Sequence, residues 1–207
     1  MRTKNAQCAA LALALAGGVA LPFAVQAEES PWLVRVRAVD LESDNEDSSG
    51  LNLAINNKII PEVDISYFFT PNIAAELVLT YPQKQTIYSG GAEIGSLKHL
   101  PPTLTLQYHF EKMREFKPYL GIGVNYTRFS SVHFSPAVQA ALQPSVSKNS
   151  FGLALQAGVD FEFRKNWYLN LDVKKVQIRT DIKSAGTKVG EFKVDPWLLG
   201  VGVGMRF

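Results

Sequence analysis

Between residues 150 and 163 the chain alternates without a break. Phe151, Leu153, Leu155, Ala157, Val159, Phe161 and Phe163 share one face, and Gly152, Ala154, Gln156, Gly158, Asp160 and Glu162 share the other. A period of two makes a β-strand, because successive side chains leave the backbone on opposite sides. Strands of soluble domains usually run to about five or six residues. A tilted strand that crosses a bilayer needs about 9–11. The C-terminus repeats the pattern, with Trp197, Leu199, Val201, Val203, Met205 and Phe207 opposed by Leu198, Gly200, Gly202, Gly204 and Arg206. Large apolar groups on one face and glycines on the other suit lipid outside and a crowded interior.

Six further segments read the same way: about 32–39, 59–69, 73–81, 103–110, 120–127 and 167–173. The predicted fold is therefore all-β, an eight-stranded antiparallel transmembrane barrel. Connections alternate between short (70–72, 111–116, 164–166) and long (40–58, 82–99, 129–149, 183–192). Short turns belong on the periplasmic side and long loops outside. Tyr67, Tyr81, Tyr108, Tyr126, Trp167 and Trp197 fall near strand ends, where interfacial aromatic girdles sit. Pro136 to Leu142 has the start of a short helix, since proline suits the first turn.

Residues 1–27 have the form of a cleaved signal peptide. Arg2 and Lys4 precede an apolar run over 9–25, and Val25-Gln26-Ala27 is a small-residue cleavage site. The barrel is then expected over 28–207. Arg2 and Lys4 leave with the signal, so 19 of the 21 basic residues remain against 19 acidic ones, a balance that gives no footing for nucleic acid. Cys8, the only cysteine, leaves too, which rules out a disulfide or thiolate metal site in the remainder. The acidic run Asp40, Glu42, Asp44, Glu46 and Asp47 lacks the glycine and final glutamate of a known Ca²⁺ loop and reads as solvated. No metal or cofactor is expected. His133-Phe134-Ser135 has the H-x-S spacing of some lipid-modifying barrels, but no third member is in evidence to orient a base, so no enzyme is expected.

Three stretches then carry a resemblance: 99–104 (HLPPTL), 117–127 (KPYLGIGVNYT) and 194–197 (VDPW), together with the Phe207 terminus. With these the chain resembles the outer membrane protein W family, the group that includes the alkane-uptake outer-membrane proteins. The resemblance runs through essentially all of 28–207. It implies a monomeric eight-stranded barrel in the outer membrane of a Gram-negative bacterium. It also implies an upper lumen that takes up small hydrophobic molecules, sideways exit through the wall, and no enzymatic activity.

The inward residues, ordered by height, divide in two. Arg35, Arg37, Asp64, Glu76, Gln107, His109, Asp160, Glu162, Asp172 and Arg206 fall toward the periplasm and are expected to form either a paired plug or, less simply, a cation or proton path. Ile60, Val78, Thr80, Gly121, Thr127, Gly152, Ala154, Leu198 and Gly200 fall toward the exterior. They either line an apolar funnel or only relieve crowding. Lys174 and Lys175 break the strand-seven pattern, and the expectation is that this strand leaves the membrane there. With Arg179, Lys183, Lys188 and Lys193 they would form a basic rim that is either solvated or in contact with lipopolysaccharide phosphates. The expected partners are therefore membrane lipid, lipopolysaccharide, small hydrophobic solutes and, through Phe207, the outer-membrane assembly machinery. The alternative function is a structural or adhesion barrel with a filled core.

Overall fold

The computed structural model describes residues 30–207; the expected signal segment, 1–27, lies outside the described residues. The chain begins with β1 (Trp32–Glu42), β2 (Glu46–Asp47), β3 (Leu53–Ile55), β4 (Lys58–Phe68) and β5 (Ile73–Leu79). It continues with β6 (Gln83–Ser89), β7 (Ala92–Leu100), β8 (Thr103–His109) and β9 (Phe116–Phe134). Helix α1 (Pro136–Leu142) follows, then β10 (Pro144–Val146), β11 (Asn149–Arg164) and β12 (Trp167–Val176). The last elements are β13 (Arg179–Ser184), β14 (Thr187–Lys193) and β15 (Trp197–Arg206).

Eight of these close a ring: β1, β4, β5, β8, β9, β11, β12 and β15 pair antiparallel in that order, and β15 returns to β1. Closure gives every wall strand a partner on both sides, so no strand is left as a free edge. Outward positions are apolar throughout the band, including Val36, Leu77, Leu106, Ile122, Leu155, Leu171 and Val201. Two aromatic belts bound it. Trp32 meets Tyr67 edge-on at 4.8 Å, Tyr108 meets Phe110 at 5.2 Å, and Phe116 meets Phe161 at 5.1 Å on the side of the short turns. Tyr126 and Phe151, 4.8 Å apart, mark the opposite side with Tyr81 and Trp197.

The segments expected to be long loops are largely β-structure. Strands β3, β6 and β7 pair in series and join the upper half of β9, while β10, β13, β14 and β2 form a separate four-stranded sheet. Side chains stitch the two together. Asn45 exchanges hydrogen bonds with the backbone of Ile55 at 2.9 and 3.1 Å, and Asp47 accepts from Leu53 N at 3.1 Å. The result is a collar of strands above the membrane ring. Its core is continuous with the barrel's upper interior: Ile55, Ile87, Leu97, Phe129, Ile182 and Phe192 pack with Val39, Leu41, Ile60, Val176 and Leu198.

Helix α1 spans the expected residues. Ser135 caps it through Val138 N at 3.5 Å, Pro136 opens it, and Gln143 ends it in a left-handed conformation. Strand seven of the ring, β12, does not leave the wall at Lys174 as expected. Its register with β11 and β15 is unbroken from Tyr168 to Lys175, so Lys174 points inward and is 1% exposed.

Candidate functional site

The interior of the ring is layered. At the bottom Leu33, Phe68, Ala74 and Tyr168 form an apolar floor, with the Arg206 guanidinium 4.2 Å above the Phe68 ring. Over it lies a charged layer. Arg35 donates to Asp160 at 2.6 and 3.1 Å, to Asp64 at 3.1 Å, to Ser66 at 3.0 Å and to Glu76 at 3.4 Å. Arg37 reaches Glu76 at 2.9 Å, Glu62 at 3.0 Å and Asp64 at 3.3 Å. Lys174 closes the top of the layer on Glu62 at 2.6 Å and Asp172 at 3.2 Å. Gln156 donates to Glu76 at 2.9 Å and Asp172 at 2.8 Å, and Tyr119 donates to Asp172 at 2.7 Å. His109 joins through Gln107 at 3.0 Å.

Local sequence explains how these long groups fit. β15 presents Gly202 and Gly204 to the interior opposite Arg37 and Arg35. A Cβ on Gly202 would stand 2.2 Å from the Val36 carbonyl and 2.7 Å from Arg37 Cγ, so the guanidinium stems lie along bare backbone.

Of the residues expected in a lower polar layer, Arg35, Arg37, Asp64, Glu76, His109, Asp160 and Asp172 share this one network. Glu162 and Arg206 stand apart. Glu162 pairs with Lys112 at the periplasmic rim, and Arg206 donates to the Ser30 carbonyl at 2.7 Å. Tyr119 and Lys174 belong to the layer and were not expected there. Extending the alternation of β9 one residue down and that of β12 one residue up finds both.

Above the charged layer a cavity of about 20 Å³ is lined by Leu41, Ile60, Val78, Pro101, Val176 and Leu198, together with Glu62, Lys174, Thr80, Thr103 and Asn125. A second, wholly apolar cavity of about 50 Å³ lies in the collar under α1, among Ile55, Ile87, Leu97, Val138, Leu142 and Phe192. Ile60, Val78 and Leu198 border the lower of these two cavities. Ala154 is packed into the surrounding core, and Thr127 donates to Asn125 Oδ1 at 2.6 Å.

Three glycines expected to line that space do not. Gly121 faces Gln156 at the charged layer, where an added Cβ would come within 2.9 Å of Oε1. Gly200 lies against Arg37, Val39 and Asp172. Gly152 admits the Gln177 backbone, whose carbonyl would be 2.0 Å from a Cβ. Each glycine makes room for a neighbour, not for a solute.

The wall has one irregular stretch. The β5–β8 ladder ends at Val78↔Thr103, and the same two chain directions pair again only at Gln83↔His99. Between these rungs run Thr80-Tyr81-Pro82 and Pro101-Pro102, and proline has no N–H to give a ladder. On the neighbouring side β4 and β5 pair only up to Val63↔Leu79, and Thr80 Oγ1 donates to the Pro61 carbonyl at 2.7 Å.

The expected basic rim is mostly neutralised. Lys175 pairs with Asp44, Arg179 with Asp195 at 3.2 Å, Lys188 with Asp181 at 2.5 Å and Lys193 with Glu46 at 2.9 Å. Glu46 is held below the usual carboxylate range by the Lys193 ammonium. Ser135 of the H-x-S stretch is a helix cap, and the His133 ring bonds the Ser131 carbonyl at 2.8 Å. Among the described residues no His, Cys, Asp and Glu groups gather in a metal-binding cluster.

Comparison with known proteins agrees with this architecture. The chain is 42% identical over 193 residues to the outer-membrane protein y4mB of Sinorhizobium fredii, covering 88% of this chain and 82% of that one. It is 32% identical over 195 residues to outer membrane protein W of Vibrio cholerae, covering 87% and 90%. The crystal structure of OprG from Pseudomonas aeruginosa superposes with a TM-score of 0.75 at 23% identity, over 86% of this chain and 97% of that one. The profile of the OmpW family matches residues 23–207, and the chain belongs to that family of outer-membrane β-barrels.

Proposed function

We propose that this barrel takes up small hydrophobic molecules from the cell exterior and releases them sideways into the outer membrane. The observation that carries this reading is the layering of the interior: a largely apolar upper compartment with two cavities above a layer of ion-paired charges. An apolar solute gains free energy on entering such a compartment, roughly 25 cal/mol per Å² of surface removed from water. To continue downward it would have to strip the charged groups of their partners, each such break costing about 3–5 kcal/mol. Arg35, Arg37, Asp64, Glu76, His109, Asp160 and Asp172, with Tyr119 and Lys174, thus act as the plug; Ile60, Val78 and Leu198, with Leu41 and Val176, act as the lining.

Release is assigned to the break between Thr80-Tyr81-Pro82 and Pro101-Pro102. The lower cavity touches Thr80 and Pro101, and separating the chains at this level breaks no ladder rung. Two relatives support the substrate class by name: outer membrane protein AlkL of Ectopseudomonas oleovorans, 29% identical over 168 residues, and the dibenzothiophene metabolism operon protein PahQ of Pseudomonas aeruginosa, 24% identical over 200. Both cavities are small, so passage requires the aliphatic side chains around them to move. A purely structural or adhesion barrel would have the same closed interior but no traffic.

The test is influx of an alkane or a fatty-acid methyl ester into Gram-negative cells with and without the protein. Faster entry with the protein is expected, cut several-fold by Val78→Phe, which fills the lower cavity while the heat-modifiable gel mobility of the folded barrel persists. Equal influx in all three strains sinks the uptake reading.

A further inference from the structure

Between the two apolar cavities lies a patch of buried polar groups with no satisfied role. Along β6 the inward residues are Gln83, Gln85 and Ile87; along β7 they are Leu97 and His99, followed by Pro101. Ile87 and Leu97 line the upper cavity, and Pro101 lines the lower one. Gln83, Gln85 and His99 therefore sit on the path from one to the other, Gln83 and His99 being direct partners across the ladder.

All three are 2% exposed or less. The amide nitrogens are used: Gln83 Nε2 donates to the Tyr81 carbonyl at 2.9 Å, and Gln85 Nε2 donates to the Asn56 carbonyl at 2.7 Å. A carbonyl can only accept, so these bonds fix which end of each amide is which. Both Oε1 atoms are left as acceptors without a donor among the described residues. The His99 ring lies parallel to Phe129 at 6.4 Å, and neither of its nitrogens has a partner. Burial, with Lys58 nearby, pushes that ring down to about 4, so at neutral pH one nitrogen donates and the other accepts. Leaving a buried donor or acceptor unmatched is costly. The charged layer also holds such atoms, but there ion pairs surround them; these four lie between two apolar cavities with no charged partner, where a ligand could match them.

We propose that Gln83, Gln85 and His99 form a docking point for the polar end of an otherwise apolar solute, a hydroxyl or similar group that both donates and accepts. The proposal rests on the uptake reading and names its substrate class. An alkane offers nothing to these atoms. A carboxylate offers only acceptors to two glutamine acceptors. A fatty alcohol offers an O–H to Gln83 or Gln85 Oε1 and a lone pair to the His99 N–H, with its chain along Leu97, Ile87 and Phe129.

The chain has three histidines, so the ring nitrogens of ¹⁵N-histidine protein in phosphatidylcholine vesicles are assignable with a His99→Phe variant. Decan-1-ol is expected to shift the His99 signals where decane at the same concentration does not. Gln85→Leu, nearly the same shape, is expected to weaken the alcohol's apparent affinity about tenfold, one hydrogen bond's worth. Equal shifts with alcohol and alkane, or none with either, overturn the proposal, and neither outcome depends on the Gln85→Leu variant folding. Entry of both solutes into cells with the His99 signals unmoved overturns it and leaves uptake standing. A shifted His99 with entry of neither solute supports the docking point and overturns uptake.

Discussion

The buried imidazole of His99, in the collar, carries a pH signature. Folded, the His99 ring resists protonation down to about pH 4 because it is buried near Lys58. In the unfolded chain it takes up a proton near pH 6.5. The contribution is therefore complete above about 6.5, shrinks as the pH falls from there toward 4, and levels off below. Urea unfolding followed across that window is expected to show a loss that His99→Phe makes smaller, the buried His109 supplying the remainder. At the same scale, Lys174 shows how far residues can be read from sequence. Its inward position is plain from the period of two, yet a lysine after Val173 looks like the end of a membrane strand. Its place becomes intelligible only with Glu62 and Asp172, which come from β4 and from two residues earlier on β12. Charge balance across strands is a three-dimensional property, and one strand read alone does not contain it.

At the scale of elements, the eight wall strands were legible because lipid on one side imposes apolar residues at every second position. The collar strands were not, because water on their outer face and a mixed core on their inner face blur the alternation. Gln83, Gln85 and His99 are inward where an apolar residue would announce a strand. The wall glycines were legible as inward, but their purpose was not: Gly202 of β15 serves the Arg37 stem, whereas Gly152 of β11 serves the backbone of Gln177. Gly202→Val forces its side chain against the Val36 carbonyl and Arg37 Cγ at once. A loss of about 1–3 kcal/mol of stability is expected from such overpacking, read as a lower urea midpoint for the gel shift of the folded form. An unchanged midpoint would mean that the stem of Arg37 has somewhere else to lie.

For the whole molecule the stacked interior makes a different kind of prediction. A ring of eight strands is narrow enough for side chains to fill. Here Arg35, Arg37 and Lys174 with Glu62, Asp64, Glu76, Asp160 and Asp172 fill it with groups that already have partners. Planar bilayers holding the protein are expected to show no sustained ion steps in potassium chloride. Steady conductance would mean that the charged layer opens as a path, the cation route that its composition also suggests.

Strand β9 runs from Phe116 to Phe134, 19 residues. At about 3.3 Å per residue and a tilt near 40° it climbs roughly 48 Å, about twice the ~25 Å apolar band of an outer-membrane barrel. The collar built on its upper half thus holds the mouth some 20 Å clear of the hydrocarbon, up into the hydrated headgroup and sugar zone. That zone is the true obstacle for a greasy molecule outside a Gram-negative cell, because it is hydrated and crowded and offers nothing apolar to dissolve in. On the proposed uptake route, a collar with an aliphatic interior would serve as a chimney through it, carrying the oil-like phase of the membrane out to where the solute is.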